Sequence, residues 1–144
     1  MVLTGDIHSS WAMDPPVATP GGYTPVGVEF VCPSATSDGF YELAGAAGPP
    51  SVAAARGATG AVRATNPWIR YLDGVGHGWT LVDVTPERVQ ADFHLTPDPT
   101  AGRPDPRVDP TVEPSFAVGW QTLAGSRRVS QAAAAIGPRS DEPR

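Results

Sequence analysis

Residues 76–96 read GHGWTLVDVTPERVQADFHLT, two apolar runs on either side of Thr85-Pro86-Glu87. Proline pre-sets φ for a turn, so the tripeptide marks a reversal and the runs beside it predict an antiparallel hairpin. On the second arm Val89, Ala91, Phe93 and Leu95 alternate with Arg88, Gln90, Asp92 and His94. That is the period of a strand with one buried and one wet face. The first arm, Trp79 to Val84, is apolar on both faces and is expected to be the more central strand. His77, between two glycines, reads as a turn residue, and His94 as a solvated side chain on the wet face.

Working outward, Val26, Val28, Phe30 and Cys32 alternate with Gly27, Glu29 and Val31, and Pro33 ends the run. This predicts another strand, in which Cys32 behaves as a small core hydrophobe. Val2-Leu3-Thr4 is a short strand-like run, and Phe116 to Leu123 a longer one. Residues 51–66, SVAAARGATGAVRATN, predict a helix capped at Ser51, weakened or interrupted by Gly57 and Gly60, and stopped by Asn66-Pro67. Residues 14–25 hold four Pro and two Gly and read as a surface loop without regular structure. Residues 97–114, with six Pro, read as an irregular crossing loop, and 126–144 as a polar tail.

The composition limits the alternatives. In 144 residues there are 16 Gly and 17 Pro, which excludes a helical bundle. Only 28 residues are Leu, Ile, Val or Phe, so the core is small. The net charge is −5 and all ten basic residues are Arg, which leaves no broad basic surface for nucleic acid. The single Cys32 forms no internal disulfide, and no Cys/His set has zinc-finger spacing. No run of about 18 apolar residues suggests a membrane span, and no basic region after Met1 suggests a signal peptide.

The chemistry concentrates in Thr4-Gly5-Asp6-Ile7-His8-Ser9-Ser10-Trp11. Gly5 permits a sharp turn after a strand, which presents Asp6 and His8, both good ligands for hard or borderline metal ions. Their i, i+2 spacing keeps them on one side if strand geometry continues through Ile7. The competing reading is a turn cap and a satisfied imidazole.

Five blocks in order, VLTGDIHSSWAMD, GVEFVCPSATSDG, NPWIRYLD, HGWTLVDVTPERVQADF and GWQTLAG, span roughly residues 2 to 125. Together they resemble the carboxyl-terminal part of the PhoD-like alkaline phosphatases. The resemblance implies an α/β fold, here the carboxyl-terminal half of a four-layer metallophosphatase sandwich, mostly β-strands and long loops, over residues 1–125. It implies hydrolysis of phosphomonoesters and phosphodiesters by metal-activated water at an iron–calcium centre (Fe3+ and Ca2+), with Asp6 and His8 as catalytic and metal-binding residues. Ser9, Ser10 and Trp11 belong to the same block. Trp11 either positions the site loop or simply packs the turn, and Glu29 either supports that loop or sits at a sheet edge. Ser34, Thr36 and Ser37 fall in a matching block.

The family's iron-binding cysteine belongs to an earlier part of the enzyme, so Cys32 does not inherit that role. Intact members are secreted or cell-surface proteins with a β-rich domain and the first half of the catalytic domain ahead of these blocks. The expectation is therefore a truncated, inactive phosphatase fragment whose partners are a phosphate ester and the missing amino-terminal half. The alternative is a non-catalytic β-rich binding or structural module derived from the same scaffold.

Overall fold

Strand β1 (Val2–Thr4) is followed by β2 (Ser10–Met13), β3 (Pro16–Thr19), β4 (Gly22–Pro25) and β5 (Glu29–Val31). Helices α1 (Phe40–Leu43) and α2 (Pro49–Thr65) come next, then β6 (Ile69–Asp73), β7 (Gly78–Val84), β8 (Arg88–Leu95), β9 (Ser115–Leu123) and β10 (Ser130–Gln131). The computed structural model describes residues 1–19, 22–99, 107 and 109–138. A first sheet has the order β1-β5-β2-β6 and a second the order β10-β9-β8-β7, while β3 and β4 form a separate ribbon. In the first sheet β1 runs parallel to β5, and β2 runs antiparallel to both β5 and β6. The second sheet is antiparallel throughout.

Strand alternation explains how these pieces stack. Ala12 and Phe30 of the first sheet join Ala91, Phe93 and Leu95 of β8 in one buried cluster, with Val28 and Val129. Their sequence neighbours Trp11 and Val31 point the other way, into a second cluster with Ile69 and Leu72 that receives Val62 of α2 and Phe40 of α1. The first sheet is thus sandwiched between the helices and the second sheet. Tyr71 crosses into the sheet-to-sheet layer, its ring 5.2 Å from that of Phe93, and burial pushes its phenol pKa up. No described helix is long and apolar enough to cross a membrane.

The predicted hairpin forms, Gly78 pairing with Leu95 and Val84 with Val89, but its two arms exchange the places expected of them. β7 is the edge strand, with Trp79, Leu81 and Val84 exposed, and β8 is interior. The face of β8 read as wet is covered too: Gln90 and Asp92 are buried. The cover is the segment after β9. Asp92 accepts the Ile136 N–H at 2.5 Å, and the Gln90 amide donates both to Asp92 and to the Ala134 carbonyl, each at 2.8 Å. His94 stacks on Trp79 at 3.9 Å between ring centroids, so it is half-buried rather than solvated.

Residues 126–138 do not simply fade into solvent, since β10 pairs with β9 and Val129 enters the main core. Residues 139–144 lie outside the described residues, as do 100–106 and 108 of the proline-rich stretch. The segment 14–25 is not a plain loop. Its ribbon pairs Pro16 with Pro25 at its base, and prolines at the end of a separate two-stranded ribbon cost few ladder bonds. Strand β5 is shorter than the expected 26–32 run, with Val26 exposed ahead of it.

Helix α2 is continuous. It starts at Pro49, because proline is tolerated in the first turn, and Ser51 turns its hydroxyl to the Ala44 carbonyl instead of capping the helix. Gly57 and Gly60 lie on its exposed side, while Val52, Ala55 and Thr59 form the buried stripe. Packing of that stripe outweighs the roughly 1 kcal/mol that each glycine costs.

Candidate functional site

The sheet directions place three loops at one end of the molecule. Because β1 and β5 are parallel, with Thr4 opposite Val31, the segments leaving both strands emerge together. Asp73, at the end of antiparallel β6, pairs with Ser10 at the start of β2. Residues 5–9, 32–39 and 74–77 therefore meet at the same end of the first sheet. The 5–9 segment must both reverse and step across β5, and it does so with Asp6 at φ 73° and His8 at φ 55°. Left-handed conformations at non-glycine residues cost about 1–2 kcal/mol each and concentrate where function requires them. The strand geometry that would have carried through Ile7 is thus replaced by a tight turn, which needs no positive φ at Gly5.

What holds this turn is visible beneath it. Ser9 and Ser10 are fully buried. The Ser9 hydroxyl accepts the Trp11 indole N–H at 2.7 Å and donates to the Ile7 carbonyl at 3.2 Å. Trp11 both packs against the sheet and braces the turn through Ser9. The Ser10 hydroxyl has no partner among the described residues. Asp6 and Ile7 are exposed and His8 is half-buried. Glu29 lies on interior strand β5 rather than at a sheet edge, and accepts a hydrogen bond from the Thr4 hydroxyl at 2.8 Å, at the root of the turn. A mostly apolar groove of about 300 Å3 runs beside it, lined in part by Gly5, Ile7, Trp11 and Glu29, but not by Asp6 or His8.

His8 Nδ1 lies 2.8 Å from the carbonyl of Asp38. A carbonyl only accepts, so Nδ1 carries the proton, and in the neutral ring Nε2 is the acceptor, without a partner among the described residues. The Asp38 carboxylate in turn pairs with Arg107, and the Ser34 hydroxyl folds this loop by accepting the Thr36 and Ser37 N–H groups at 3.2 and 2.6 Å. Cys32 is half-buried and unpaired, its N–H donating to the Thr4 carbonyl at 2.8 Å.

One pair was given too little weight by its sequence context. His77 is no plain turn residue: its Nε2 meets Glu42 Oε1 at 3.0 Å, and both side chains are almost wholly buried. Burial alone raises the Glu42 carboxyl pKa. The hydrogen bond from His77, the Gly39 N–H and the His77 charge outweigh burial, leaving that pKa below the ordinary carboxylate value. The only sequence signal was Glu42 three residues after Gly39, the spacing of a capping box without its Ser or Thr. His77 lies 35 residues from Glu42, too far for any local pattern to join them.

The residues do not by themselves make an iron–calcium centre. Among the described residues no group of three or more His, Cys, Asp or Glu side chains could hold a metal ion. Calcium alone takes about 6–8 oxygen ligands, and Asp6 and His8 supply one carboxylate and one imidazole.

The profile of the PhoD-like phosphatases matches residues 1–93, which include all three loops. The chain belongs to the PhoD-like phosphatase family. The solved structure of PhoD is similar in fold, with a TM-score of 0.61 at 21% identity, over 94% of this chain and 22% of that one. The chain therefore spans about a fifth of the length of the solved protein it matches. A search among curated proteins finds no match.

Proposed function

We propose that this chain carries the Asp6–His8 turn of a PhoD-like phosphoesterase that hydrolyses phosphomonoesters and phosphodiesters, and that the chain alone is inactive. The observation that carries the reading is the strained turn, inside the family match, at the end of the sheet where three loops converge. An exposed carboxylate two residues from an imidazole on one turn suits cation binding, or phosphate binding once the imidazole is protonated.

The remaining donors would come from other parts of the four-layer sandwich that the family resemblance implies. The exposed edge strand β1, with Val2 and Leu3 uncovered, and the exposed Ile7 on the turn leave apolar surface for such a neighbour.

The test is an assay of the purified chain with a chromogenic phosphomonoester and phosphodiester in Ca2+ and Fe3+. The expected result is no turnover above buffer. Metal-dependent turnover that disappears in Asp6→Ala would show that the donors present are sufficient.

A further inference from the structure

We propose that Glu42 and His77 are positioning residues for His8, a reading that rests on His8 being a site residue. The Glu42 carboxylate is used at both ends. Oε1 accepts from His77 Nε2 at 3.0 Å and Oε2 accepts the Gly39 N–H at 2.8 Å. Gly39 is the residue next to Asp38, whose carbonyl fixes the His8 ring. It also lies directly against the His8 backbone, where an added Cβ would fall 2.7 Å from the His8 carbonyl oxygen.

The loop carrying His77 is anchored independently. His77 and Thr96 exchange two hydrogen bonds, at 3.1 and 2.8 Å, and Asp73 accepts the Val75 and Gly76 N–H groups at 3.0 and 2.8 Å. A rigid loop thus holds a buried carboxylate, the carboxylate holds the 38–39 peptide, and that peptide sets which nitrogen of His8 bears the proton.

A simple helix cap does not account for this arrangement. Helix α1 is a single turn of four residues, and capping it requires only one carboxylate oxygen. The second oxygen leaves the helix for a buried imidazole on another loop, and desolvating both groups is costly unless the pair secures something. What it secures is the segment touching His8. Outer partners that fix the tautomer of a functional histidine affect site chemistry without touching a ligand.

The chain has three histidines, so long-range proton–nitrogen correlation spectra of the whole labelled chain, at a pH where the rings are neutral, can report every tautomer separately. The expected wild-type spectrum has His8 protonated at Nδ1 and His77 at Nε2. In Glu42→Ala, His8 should lose its single dominant tautomer while His94, stacked on Trp79 in the second sheet, stays unchanged. In Glu42→Gln the amide oxygen can still take the Gly39 N–H and the amide nitrogen can donate to His77. His8 should then keep its tautomer while His77 switches to Nδ1 protonation.

Gly39→Ala leaves both buried side chains in place but crowds the His8 carbonyl. It should disturb His8 without altering His77, and it serves as the test should Glu42→Ala not fold. An unchanged His8 in folded Glu42→Ala or in Gly39→Ala would overturn the relay, as would loss of the His8 tautomer in Glu42→Gln. None of these outcomes depends on catalysis. Whether His8 belongs to a phosphoesterase site is decided separately, by the rate of a His8→Ala enzyme.

Discussion

Asp14, just after β2, accepts the backbone N–H of Val129 at 2.6 Å across 115 residues of sequence, and its side chain is 1% exposed. The same carboxylate takes the Tyr23 hydroxyl at 3.3 Å and faces Arg128 at 3.7 Å. Asp92 does the equivalent for Ile136. Two buried aspartates therefore fasten the segment after β9 to the body of the protein.

Asp14→Ala should cost about 2–4 kcal/mol, because it leaves the Val129 N–H buried without an acceptor. Asp14→Asn keeps one acceptor oxygen and should cost clearly less. Urea denaturation gives both values, and hydrogen exchange at Val129 should accelerate in the alanine variant. A loss below about 0.5 kcal/mol, the range of ordinary surface substitutions, would mean that the link does not hold the segment in place.

These aspartates show where the sequence was and was not legible. Alternation correctly assigned Ala91, Phe93 and Leu95 to the core, because the apolar face of a strand depends on local spacing. It misassigned Gln90 and Asp92 to solvent, because what covers them arrives more than 40 residues later and carries no hydrophobic signature in the form of Ala134 and Ile136 backbone groups. The same holds at the site. Residue type singled out Asp6 and His8 as candidates and the family resemblance supplied their expected role, whereas the reversal across β5, which puts both in left-handed conformations, depends on a strand order that no local pattern encodes.

Glu42 should make folding stability depend on acid. Its folded pKa lies below the ordinary value, which is about 4.3 for an unfolded chain. The Glu42 carboxylate therefore contributes fully above about 4.3, and its contribution is lost as the pH falls through the lowered folded pKa. The stability difference between wild type and Glu42→Gln should shrink as the pH falls from about 4.3 through the lowered folded pKa. A difference that grows toward acid pH would reverse the assigned sign.

The strain in the turn predicts an unusual ranking at His8. Its φ of 55° costs a residue with a Cβ about 1–2 kcal/mol, whereas glycine adopts it freely but loses about 0.5–1 kcal/mol of unfolded-state entropy. His8→Gly should thus be more stable than His8→Ala by a fraction of a kcal/mol to about 1 kcal/mol, the reverse of the order in a helix or strand. Equal melting of the two variants under matched conditions would place His8 outside the left-handed region in solution.

The last prediction concerns chemistry, in a complete enzyme rebuilt around this segment. Asp6→Asn and His8→Ala should each lower the rate by at least the roughly 10–100-fold that removal of an outer-sphere partner alone brings, while Cys32→Ser and His94→Gln should not. Asp6 and His8 stand on a turn braced from below by Ser9 and Trp11, so removing either side chain changes the site without opening the core. Cys32 joins the turn through its backbone N–H, a bond that serine keeps.

His94 lies on β8, against Trp79 and Phe116, on strands of the second sheet rather than on the three converging loops. Its loss should appear as a modest stability change alone. Rates should be read beside bound metal by elemental analysis and beside circular dichroism for each variant. Wild-type rate and metal content in both Asp6→Asn and His8→Ala would move the chemistry off this turn.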